Sequence, residues 1–167
     1  MTEASKENED ESNGSNETWP LAERPGFLAR RLHQIHVSLF TETCAAFRIT
    51  PLQFSLLTAL EELGAADQST LARMVALDRT TTTGGLKRLE NRGLIQRVTS
   101  ERDRRAQECR MTEAGVELLA QMRRPAREAH DLTIAKLSKS ERATFMRLLS
   151  RVVLANESRG AVSLRED

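Results

Sequence analysis

Between Gln68 and Gly93 the chain has room for two short helices and almost nothing between them. QSTLARMVA carries Leu71, Met74 and Val75 at helical spacing, so those three are expected to face inward. Asp78 offers an N-cap carboxylate directly before RTTTTGGLKRLEN, and Gly93 stops that second helix. Two helices that meet at Leu77 and Asp78 without a loop make the joint a helix-turn-helix requires. The second helix opens on four threonines and two glycines. From Thr80 to Gly85 the summed propensity penalty against alanine is on the order of 4 kcal/mol. A local rule broken this far marks a site.

The flanking sequence completes the frame. After Gly93, LIQRV reads as a strand, TSERDRR as a polar turn and AQECRM as a return strand in which Gln107, Cys109 and Met111 alternate with Ala106, Glu108 and Arg110. This is a hairpin with an arginine-rich tip, and a helix-turn-helix followed by a basic hairpin is a winged helix. Upstream, GFLARRLHQIHVSLFTETCAAF carries two adjacent apolar stripes (28, 32, 35, 39 and 36, 40, 44, 47) and predicts a long helix after Pro25. Thr50, Pro51 and Gln53 announce the next helix with a capping box. Leu52, Leu56, Leu60 and Leu63 form its stripe, with Leu57 beside them, and Gly64 ends it. Downstream, a long helix begins near Thr112, and Pro125 is expected to kink or break it. Ser138 and Glu141 form a second capping box ahead of Phe145, Leu148, Leu149, Val152 and Val153, the spacing of a packed helix. The fold class is therefore mainly α with a small β-hairpin wing.

On a helical wheel Thr82, Leu86 and Leu89 share the inward face of the second short helix, and Gly85 lies near it. The opposite face presents Thr80, Gly84, Lys87 and Asn91, flanked by Thr81, Thr83 and Arg88, with Arg79 at its start. Short hydroxyls, a missing side chain and cations suit entry into a DNA major groove. Arg104 and Arg105 at the hairpin tip reach an adjacent minor groove, and Asp103 pairs with Arg105 to hold the tip in shape. Charge agrees. Residues 1 to 20 hold six acidic residues and one basic one, which leaves 24 basic and 18 acidic elsewhere. Residues 79 to 105 alone hold eight Lys/Arg against three Asp/Glu. A solvated charged face is the bland alternative.

Other classes find less support. No phosphate-binding glycine loop, nucleophile–base pair or carboxylate pair stands out, which argues against an enzyme and leaves no cofactor to assign. A winged helix that binds protein leaves the basic wing unexplained. No run of 18 apolar residues predicts a membrane span. The acidic N-terminus does not read as a signal peptide. The two cysteines, Cys44 and Cys109, fit a reducing cytosol.

The chain resembles the multiple-antibiotic-resistance regulator (MarR) family over about residues 25 to 155. ITPLQFSLLTAL resembles the family's second helix, STLARMVALDRTTTTGGLKRLENRGLI its reading head, and SERDRRAQECRMTEAG its wing and exit. The resemblance implies a cytoplasmic homodimer that binds a palindromic operator in double-stranded DNA and acts as a repressor. It implies groove contacts at Thr80, Thr81, Thr83, Gly84 and Lys87 and a minor-groove arginine at Arg105. It also implies release by a small molecule, an aromatic or heterocyclic acid, bound between the dimer helices and the reading head. His33, His36 and Phe40 share a stripe suited to such a ligand. A metal- or redox-responsive regulator of the same fold is the alternative. His33-x-x-His36 lacks further zinc ligands unless His130 or Glu42 joins, so no metal site is assigned. The family's peroxide sensors carry a cysteine near the start of the first helix, and here there is none. The expected layout is a disordered acidic tail over 1–22, a dimerisation helix over 23–48, the winged helix-turn-helix over 49–111, dimerisation helices over 112–158 and a flexible tail over 159–167.

Overall fold

A computed structural model describes residues 19–100 and 107–163, with side chains as far as Asn156. The order of elements is α1 (Pro25–Thr43), α2 (Pro51–Leu63), β1 (Ala65–Ala66), α3 (Gln68–Met74), α4 (Arg79–Asn91), β2 (Ile95–Thr99), β3 (Gln107–Met111), α5 (Glu113–Thr133) and α6 (Lys139–Ser163). Single 3-10 turns at Leu21–Glu23 and Ala45–Phe47 bracket α1. α6 therefore continues past the expected boundary at 158.

Local signals set most of these ends. The Gln53 amide donates to Thr50 Oγ1 (3.3 Å), and Gln53 Oε1 accepts from the Thr50 amide (2.9 Å). These two bonds satisfy orphan donors at the start of α2. Gly64 closes that helix at φ +73°, a left-handed value glycine adopts freely. Ser138 and Glu141 make the same reciprocal box before α6. β2 and β3 pair antiparallel from Ile95↔Met111 to Thr99↔Gln107. β1, absent from the sequence reading, pairs with β3 at Ala65↔Arg110 and Ala66↔Cys109, giving the sheet order β1-β3-β2. Two alanines are too few to show an alternation, so this strand leaves no periodic trace.

The core runs from Phe40 of α1 and Cys44 just past its end, through Leu56, Leu57 and Leu60 of α2, to Leu71, Leu86, Leu89, Leu119 and Met122. Three expectations need correction. Met74 ends α3 and is 42% exposed, while Ala72 is buried in its place beside Leu71. Leu63, in the last turn of α2, is 43% exposed. Pro125 does not break α5, which continues to Thr133. Proline removes one amide, but buried Met122, Ala126 and Ala129 hold the same helix against the core on both sides of it. In α6 the predicted apolar face is present but stands open: among the described residues Leu148, Leu149, Val152 and Val153 are exposed.

Candidate nucleic-acid interface

The sequence of α4 divides it into a docked face and an open face. Asp78 caps it, Oδ1 accepting the Thr81 amide at 2.8 Å. The Thr81 hydroxyl and amide hold the Asp78 carboxyl below the usual carboxylate range. Thr82, Leu86 and Leu89 are fully buried, and the Thr82 hydroxyl donates to the Asp78 carbonyl at 2.9 Å. Gly85 is buried where α4 meets α2. A Cβ there would lie 2.9 Å from Leu56 Cδ1 and 3.2 Å from Leu52 Cδ2. Gly84 faces the other way, and a Cβ there would meet only Arg88 Nη2, at 3.6 Å. Around it Arg79, Thr80, Thr81, Thr83, Lys87 and Arg88 are exposed. The wheel assignment of buried Thr82 and exposed Thr80, Thr81 and Thr83 therefore matches the structure residue by residue.

Long-range bonds fix this helix in place. Gln68, at the start of α3, donates from Nε2 to Thr83 Oγ1 (2.5 Å) and to the Arg79 carbonyl (3.4 Å). Ala76 turns the joint between α3 and α4 at φ +53°, and the Leu77 amide donates to the Ala72 carbonyl. Past the end of α4, Arg92 donates to the carbonyls of Arg48 (2.7 Å) and Phe47 (3.1 Å). The wing is rooted as firmly. The Thr112 hydroxyl donates to the Gly93 carbonyl (2.6 Å) and its amide to the Leu94 carbonyl (3.1 Å). A Cβ on Gly115 would sit 2.1 Å from that same Leu94 oxygen. Cys109 is buried in β3, and burial pushes its thiol up. Asp103, Arg104 and Arg105 of the tip lie outside the described residues.

Behind the reading head lies a cleft of about 370 Å³, lined by Phe54, Ser55, Thr58, Glu62, Val75 and His130 among others. His33, His36 and Phe40 are not in its wall. Phe40 is buried behind it with its ring 5.5 Å from Phe54, and His36 stacks on His130 at 4.4 Å. Thr133 gives its hydroxyl proton to the Ala129 carbonyl (2.7 Å), so its oxygen accepts from His36 Nδ1 (3.1 Å). Burial holds His36 below the ordinary histidine range, and His130 and His33 push the same way. His33 itself is exposed. Among the described residues no three His, Cys, Asp or Glu side chains gather as metal ligands.

The winged arrangement agrees with what the chain is similar to. Residues 49–106 match the model of the MarR family. The HTH-type transcriptional repressor NicR of Pseudomonas putida is 31% identical over 145 residues, which are 87% of this chain and 92% of NicR. The chain belongs to the MarR family. Among solved MarR-like structures, a probable transcriptional regulator from Pseudomonas aeruginosa superposes with a TM-score of 0.76 at 34% identity, covering 80% of this chain and 99% of that one. Bordetella bronchiseptica BpsR, whose DNA binding is regulated by 6-hydroxynicotinic acid, gives 0.75 at 30% identity over 80% of this chain and 96% of its own.

This MarR chain is a transcriptional regulator, as its relatives are. The MarR match at 49–106 takes in α2, β1, α3, α4 and β2, while the near full-length relatives extend the likeness to the flanking helices. Sequence reasoning misses three polar residues that shape this MarR head: Gln68, Arg92 and His130 as a cleft wall. Each acts through a partner far along the chain or, for His130, across two helices. No periodicity or cap signal reports such pairings.

Proposed function

We propose that this regulator is a homodimeric repressor that grips a palindromic DNA operator through α4 and the wing and is released by a small aromatic or heterocyclic acid. The open face of α4 carries the reading: cations and small residues crowd a helix face that stands exposed among the described residues. Arg79, Thr80, Thr81, Thr83, Gly84, Lys87 and Arg88 enter the major groove, where hydroxyls, methyls and a bare backbone approach closely. Arg104 and Arg105 serve the minor groove, with Asp103 steadying the tip. The exposed apolar residues of α6, with Leu28 and Ile35 of α1, supply the dimer face. A twofold dimer then addresses half-sites about one helical turn, ~34 Å, apart.

The cleft beside α3 is the effector site. It joins aromatic and polar walls, and its floor belongs to α2, α3 and α5, so a ligand there presses on the elements that aim α4. His36 and Phe40 act from behind, by setting His130 and Phe54. The acid regulating BpsR supports the ligand class. A gel shift on DNA upstream of the protein's own gene tests the reading, with aromatic and heterocyclic acids, a zinc chelator and peroxide as additives. An acid that releases a retarded band is expected. Release by chelator or peroxide alone would favour the metal- or redox-responsive alternative, and no retarded band at all would overturn the reading.

A further inference from the structure

Four consecutive threonines look interchangeable, yet their hydroxyls have different fates. Thr82 is buried and donates to the Asp78 carbonyl. Thr81 meets the Asp78 carboxylate through its amide, which donates to Oδ1 at 2.8 Å. Thr83 donates to the Arg79 carbonyl at 2.6 Å and accepts from Gln68 Nε2 at 2.5 Å. A threonine hydroxyl has one proton and two lone pairs. The Thr83 proton and one lone pair are therefore spent inside the protein, although the residue is exposed. The same accounting orients Gln68. With the Thr83 proton committed to Arg79, only the amide nitrogen of Gln68 fits the contact. Thr80 differs from Thr82 and Thr83: among the described residues its hydroxyl has no hydrogen-bond partner. Thr80 and Thr83 are three residues apart and share one helix face.

We infer that the run divides base recognition by chemistry: Thr80 reads with its hydroxyl, Thr83 reads a thymine through its methyl, and Gln68 is the positioning residue that keeps the Thr83 hydroxyl turned inward. The inference rests on the DNA-reading role of α4 proposed above. Its chemistry is simple. An apolar methyl against the C5-methyl of thymine needs no hydrogen bond, and a free hydroxyl needs a donor or acceptor on a base edge or phosphate. Threonine at 83 then serves at both ends: its hydroxyl seals the α3–α4 joint, and its methyl is left for the groove.

Duplexes enriched from a random pool by the wild-type protein provide the probe. Each thymidine of the half-site is then replaced in turn by deoxyuridine, which deletes only the methyl. Binding is followed by fluorescence anisotropy for wild type, Thr80→Val, Thr83→Val, Thr83→Ser and Gln68→Leu, with thermal melts as a control for folding. Thr83→Val keeps the methyl and loses the hydroxyl. It is expected to bind within about threefold of wild type, whereas Thr80→Val loses about tenfold. One deoxyuridine position weakens wild type and Thr83→Val but leaves Thr83→Ser and Gln68→Leu indifferent. A merely structural role for Gln68 would lower affinity at every position alike. The inference is overturned if Thr83→Val loses as much as Thr80→Val, or if no single thymine methyl matters to the wild type. If the wild type enriches no duplex, the DNA-reading role itself falls, which is a separate and recognisable outcome.

Discussion

Replacing Gly84 by alanine should make the protein more stable and a poorer DNA binder. Glycine inside a helix is about 1 kcal/mol worse than alanine. At position 84 nothing opposes that gain, because the new Cβ meets only Arg88 Nη2, at an ordinary 3.6 Å. Stabilisation of up to ~1 kcal/mol follows, or roughly 2–4 °C in Tm for a chain of this size. The neighbouring Gly85→Ala has the same propensity gain and the opposite result. Its Cβ would lie 2.9 Å from Leu56 Cδ1, and Leu56 is fully buried. Overpacking costs about 1–3 kcal/mol and outweighs the gain. In DNA binding the order reverses. The methyl added by Gly84→Ala stands on the face that approaches the groove and lowers affinity about tenfold. The methyl added by Gly85→Ala points at α2 and leaves that face untouched. Urea melts at one fixed protomer concentration, with anisotropy titrations of an operator duplex, separate the two readouts. A Gly84→Ala protein that is more stable and binds as well as wild type would refute the claim that this glycine is kept for the groove. A destabilised Gly84→Ala would refute the register of α4.

Three further outcomes follow from the same geometry. Thr82→Ala deletes a buried hydroxyl bonded to the Asp78 carbonyl and should cost about 1–2 kcal/mol in a urea melt with operator affinity kept, while Thr80→Ala should do the reverse. Gly115→Ala drives a Cβ onto the Leu94 backbone oxygen, which no side-chain rotation relieves; a loss of about 3 kcal/mol or more is expected, read as a large fall in urea midpoint. His36 is held below the ordinary histidine range, so the unfolded chain takes up its proton first as pH falls. Stability should therefore be full above about pH 6.5 and decline as pH drops through the folded value, and His36→Gln should flatten that decline in melts from pH 7.5 to 5.

Why some of this is readable in the sequence and some is not follows from range. Asp78, Thr82 and Gly85 announce themselves within one or two turns, through a cap, a stripe and a missing side chain. The same holds for the boxes at Thr50 and Ser138. Met74 and Leu63 keep the period of their stripes but stand at the ends of α3 and α2, where the core they point towards has run out. The α6 face shows the converse. Its apolar pattern is plain in the sequence, yet among the described residues of one chain it stays exposed. His33, His36 and Phe40 share a stripe that the sequence shows, while the contacts of His36 with His130 and of Phe40 with Phe54, both in the cleft wall, come only from the fold.

On the reading proposed above, α4 and the wing form a cationic DNA-reading surface. The most direct measurement is the affinity for an operator duplex across a salt series. Arg79, Lys87 and Arg88 are exposed on each protomer, so a dimer brings six such cations before the wing is counted. About six phosphate contacts predict a slope of log K against log salt near −5 and a loss on the order of 10³ between 50 and 200 mM salt. A steep line of that size is the expected result. An affinity that stays flat over the same range would mean that these cations do not meet phosphates.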